Sequence, residues 1–113
     1  MNEIIELAGK LGKAIASSPQ ATAMRAARKA LDAEASVVQT LKDYQAQEDK
    51  IAQLQHDNKP IEVDDKHKLQ DLHDKLIASD VFKKFTAAQV DYVDLLRQVN
   101  SAMRQQLAET EAE

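Results

Sequence analysis

Apolar residues recur at steps of three, four and seven through the last long stretch of the chain, from Ser79-Asp80-Val81 to about Ala108. Val81, Phe82, Phe85, Ala88, Tyr92, Leu95, Leu96, Val99, Met103 and Leu107 carry the pattern, which is the period of one α-helical face. No Gly or Pro interrupts it, and Ser79 or Asp80 offers a capping oxygen at its start. At the rise of an α-helix the stretch would run roughly 40 Å, against roughly 34 Å across a compact domain of this size. Either the molecule is elongated or a second copy covers the overhang.

Four earlier segments share the helical period. From Asn2 to Ala16, Ile4, Leu7, Ala8, Leu11 and Ile15 line the face expected to be buried, and Glu3 and Glu6 suit the first turn. Gly9 and Gly12 each weaken that helix by about 1 kcal/mol relative to Ala, unless the close approach of another helix uses them. Ser17-Ser18-Pro19 ends it, because Pro disfavours helical geometry just before itself and suits the first position of a helix. Ser18 then caps a second helix, Pro19 to about Ala33, with Ala23, Met24, Ala27, Ala30 and Leu31 inward. The boundary between Asp32 and Ser36 is soft, and a bend is expected there. Ser36-Val37-Val38-Gln39 has the form of a capping box that would start the third helix.

The third helix runs to about His56 on a stripe of Val37, Leu41, Tyr44, Ile51 and Leu54, interrupted by Glu48. Gln45, Gln47, Asp49, Lys50, Gln53 and Gln55 read as its solvated flank. In Asp57-Asn58-Lys59-Pro60, Asn58 suits a left-handed helix end and Pro60 blocks continuation. Ile61 and Val63 are expected to tuck back onto the core. A fourth helix begins near Asp64 on the stripe Leu69, Leu72, Leu76 and Ile77, and the acidic tail from about Glu109 should fray against the helix dipole. The expected fold is therefore all-α, about five helices with long antiparallel members, in a single domain over residues 1–113. Lys75-Leu76-Ile77-Ala78-Ser79-Asp80 echoes Lys13-Ala14-Ile15-Ala16-Ser17-Ser18, either an internal helix-turn-helix duplication or two junctions built with the same capping chemistry.

Composition turns this pattern towards association. Apolar residues make up 43% of the chain, but many of these are Ala and aromatics are only 4% of the chain, so a lone monomer gains little from burial. The net charge of −4 is spread with interleaved signs, which argues against direct nucleic-acid binding. No Cys is present, which removes disulfides and thiolate metal sites and suits a reducing cytosol. The start of the chain lacks a basic region before an apolar core, and no run reaches the roughly 20 residues of a membrane span. A cytoplasmic protein with no membrane contact is expected.

Candidate chemistry is sparse. His67 and His73 are too far apart around a helix to form a ligand pair. His56 and His67 with Asp57, Asp64 and Asp65 could assemble a metal site or small enzyme centre, but solvated loop and cap residues explain them better. Asp64-Asp65 reads as helix N-terminal charge and Asp71/Asp74 as a polar face. No phosphate-binding loop, nucleophile elbow or zinc-protease motif occurs, so no catalytic, cofactor-binding or metal residue is assigned. Arg25, Arg28 and Lys29 form the densest basic cluster, a docking patch for an acidic partner or a face balanced by Asp32. Val90 and Val93 widen the apolar arc of the last helix beyond what a one-sided helix needs. Val90, Val93 and Leu96, with Leu41 and Tyr44 on helix three, are the candidate interface of a homodimer or higher homo-oligomer, with a purely structural oligomeric scaffold as a further reading.

Several short stretches resemble the YlbF/YmcA family of small bacterial helical regulators, the competence-regulator group that includes YheA. They are Ser18-Pro19, Leu41-Lys42-Asp43-Tyr44-Gln45, the loop from Asn58 to Ile61, Leu76 to Val81 with Phe85 and Gln89, and Gln98-Val99-Asn100. The resemblance extends over nearly the whole chain. It implies an all-helical, oligomerising adaptor without a catalytic centre, and a protein partner in RNA processing, since some members act with RNase Y. The cysteines associated with an iron–sulfur cluster in the better-known members have no counterpart in this chain.

Overall fold

A computed structural model describes residues 2–112, and the described residues form five α-helices: α1 (Glu3–Ala16), α2 (Pro19–Asp32), α3 (Ala35–His56), α4 (Val63–Ile77) and α5 (Asp80–Ala112). The all-α expectation holds. The helix breaks fall where local chemistry puts them. Ser18 Oγ accepts from the Ala21 amide at 3.1 Å and donates to the Ile15 carbonyl at 2.6 Å, so one hydroxyl closes α1 and opens α2. Ser79 repeats half of this device, accepting from the Phe82 amide at 3.3 Å. The register of the sequence echo pairs Ser79 with Ser17, whereas Ser18 is the residue that caps.

At the end of α3, Asn58 adopts φ 56°, the left-handed conformation expected of it. The Lys59 amide reaches the Leu54 carbonyl at 2.8 Å and the Asn58 amide the Gln55 carbonyl at 3.2 Å, the paired bonds of a Schellman motif. Two local expectations fail. The Ser36 capping box does not form, because α3 already begins at Ala35 and Glu34 holds the cap position without a side-chain bond. Gln39 instead donates to Asp43 Oδ1 at 2.9 Å, the helical neighbour four residues on. Val63 is the first residue of α4 and is exposed rather than tucked in, while Ile61 is half-buried.

The chain divides into two compact units, to each of which α2 and α5 contribute: Met1–Ala27 with Thr86–Glu113, and Arg28–Phe85. In the second unit α4 folds back along α3, and Leu31, Leu72, Leu76 and Phe85 are buried. The Arg28 guanidinium lies 5.7 Å from the Phe85 ring centroid, a cation–π contact, and pairs with Asp32 at 3.1 Å. In the first unit the buried apolar residues are Ala21 and Ala88. Here the sequence-based reading of α1 needs correction: no residue of that helix is buried. Ile4, Leu7 and Leu11 are exposed and Ile15 is half-buried, because periodicity identifies an apolar face without supplying anything to cover it.

Candidate functional site

A cluster of polar side chains from different helices forms between α3 and α4. Gln47 is only 3% exposed, and its Nε2 donates to the Asp65 carbonyl at 2.9 Å and to Asp65 Oδ1 at 3.3 Å. Lys50 Nζ donates to the same Oδ1 at 2.8 Å while remaining largely exposed. The Lys50 ammonium holds the Asp65 carboxyl below its ordinary value, against the opposing effect of burial, with further help from Gln47 and from the backbone of Glu62. This corrects two readings of the sequence. Gln47 is not a solvated flank residue, since it stands three after Tyr44 and four before Ile51 and so lies on the apolar stripe. Asp65 is more than N-terminal charge for α4. Every partner in the cluster is committed to another, which suits fixing the register of two helices rather than turning over a substrate.

Beside this cluster lies an open groove of the same unit, lined by Tyr44, Ile51, Ile61 and Leu69 with Lys66, Gln70 and His73 around it. Tyr44 and His73 hold tilted rings 6.2 Å apart. Tyr44 was expected at an interface, and it is half-buried on this groove; Leu41, one turn earlier, is half-buried as well. Lys66, Leu69, Gln70 and His73 were not anticipated as neighbours of Tyr44, and only the antiparallel return of α4 brings them there. Among the described residues no three His, Cys, Asp or Glu side chains gather as metal ligands, so His56 and His67 are not joined by Asp57, Asp64 or Asp65 in such a group.

On α5, Val90 is 64% exposed and Val93 50% exposed, with Leu96 half-buried one turn on. Val93 and Leu96 border a shallow concavity with Arg97, Asn100, Ser101 and Arg104, in which Arg97 pairs with Asp94 at 3.3 Å. Met103 and Leu107 continue the exposed apolar residues towards the end of the helix. The basic cluster on α2 is partly engaged. Arg25 Nη2 donates to the Ala16 carbonyl at 2.8 Å, satisfying the last turn of α1, and Arg28 is held by Asp32 and Phe85. Lys29 is exposed.

Among the described residues no helix is long and apolar enough to cross a membrane. No curated protein matches the chain. A family model described as control of competence regulator ComK, YlbF/YmcA, matches residues 4–108 and therefore spans all five helices. That family is a regulatory one. The chain, with its capped helical junctions and its exposed apolar helix faces, belongs to the YlbF/YmcA family.

Proposed function

We propose that this protein is a non-catalytic regulatory adaptor that works in the cytoplasm through protein–protein contacts and as a homo-oligomer. The observation that carries the reading is the exposed apolar run on α5, which starts at Val90 and Val93 and continues to Met103 and Leu107. Large apolar side chains that recur along one helix and find no cover within their own chain are the signature of a docking face. Leu41 and Tyr44 on α3 supply a second contact surface, with the groove against α4 as its recess. RNase Y-dependent mRNA processing is the process in which the adaptor acts, on the strength of the family resemblance.

Affinity capture from the native host tests this. RNA-decay proteins should co-purify with the wild-type chain and be lost with Val93→Glu, while circular dichroism of the variant stays helical. Equal capture of those proteins by wild type and variant would remove α5 from the contact. Their absence from the wild-type capture would end the RNA-processing assignment.

A further inference from the structure

The most amphipathic helix of the chain is also the least covered. Helix α1 has no buried residue, and Ile4 at 77%, Ile5 at 63% and Leu7 at 58% are among the most exposed large side chains in the protein. A helix of 14 residues containing two glycines is marginal on its own in water, so its stability must come from packing of the apolar face. Its charges are ordered along the axis. Glu3 and Glu6 occupy the first half, Lys10 and Lys13 the second, and each acid has a base seven residues on, along the same side.

Two properties of that order select the occupant. The helix carries as many acids as bases and no basic face, which disfavours an anionic membrane surface. The order is also self-complementary. Two copies laid antiparallel set the acidic half of one beside the basic half of the other, whereas a parallel pair sets like beside like.

We propose that α1 is covered by α1 of a second copy of this chain, packed antiparallel along Ile4, Leu7 and Leu11, with Glu3, which flanks that stripe, facing Lys10 of the partner copy. This deepens the self-association in the proposed function and rests on it, but it uses a different surface from Val90 and Val93. The pairing is two-fold and isologous, so it closes on itself. A seam about 20 Å long is at the small end of specific interfaces, and a micromolar dissociation constant is expected.

The charge order also suits the dipole of an isolated helix, so the test must separate the two causes. Two full-length variants do so, one carrying Glu3→Lys, the other Lys10→Glu. Each alone should self-associate about tenfold more weakly than wild type by sedimentation velocity. Mixed in equal amounts, they should form a one-to-one heterodimer detectable by native mass spectrometry, since only the mixture restores opposite charges across the seam. A dipole effect cannot be rescued by mixing. Leu7→Glu, at a position exposed within its own chain, should weaken self-association with helicity retained. An oligomer that persists unchanged in all these variants, or a mixture that forms no heterodimer, overturns the seam and leaves the α5 surface to account for the oligomer. A wild-type protein that is monomeric throughout overturns both.

Discussion

Gln47 shows how much one buried amide can hold. Its side chain is enclosed between α3 and α4 and donates to both the carbonyl and the carboxylate of Asp65. Gln47→Ala should cost about 1–3 kcal/mol, because it removes both bonds from the buried amide to Asp65 and opens a gap on the stripe. Urea unfolding of wild type and variant checks this; a change below about 0.5 kcal/mol would mean water replaces the amide at no cost. Asp65 adds a pH dependence. Its carboxyl is lowered in the folded state, chiefly by Lys50, so its stabilising contribution is present above the ordinary carboxylate range and is lost as pH falls through the folded value. Wild type should therefore exceed Asp65→Asn in stability at neutral pH, and the gap should close below about pH 4. A gap that does not narrow as pH falls below the ordinary carboxylate range would contradict the Lys50 pairing as its cause.

Helix ends obey their own chemistry, and there the sequence is most readable. Ser18→Ala should cost about 1 kcal/mol, measured as a loss in melting temperature, because the hydroxyl caps α2 and also satisfies the end of α1. Gly9→Ala should strengthen α1 by about 1 kcal/mol, since a Cβ there meets nothing within 4 Å. A decrease in helicity on that change would place an unseen neighbour against Gly9. Junctions at Ser18-Pro19, Asn58-Pro60 and Ser79 were legible because capping and backbone restriction act within three or four residues. The Ser36 box was misread because its residues also serve a helix interior, as the Gln39–Asp43 bond shows. Polar burial at Gln47 was open to inference from its spacing alone, but the partner, Asp65, lies 18 residues away and only the return of α4 brings it near. The bareness of α1 could not be read at all, because an apolar stripe looks the same whether its cover is present or absent.

At the scale of the whole molecule, the open apolar helix faces point to self-association. Among the described residues few large side chains are buried: Leu31 and Leu76 are the largest that are fully enclosed. The corresponding apolar surface on α1 and α5 stays open. Val93→Glu would set an unpaired charge into the α5 contact, a mechanism that commonly costs several kcal/mol of association, against about 0.5 kcal/mol or less if Val93 only meets solvent. The most direct measurement is the mass of the wild-type protein by light scattering over a wide concentration range, with Val93→Glu alongside. The wild-type mass should be at least twice the 12.6 kDa of the chain, and the substitution should reduce it at equal helicity. A wild-type protein that remains at 12.6 kDa at the highest concentration reached would contradict self-association.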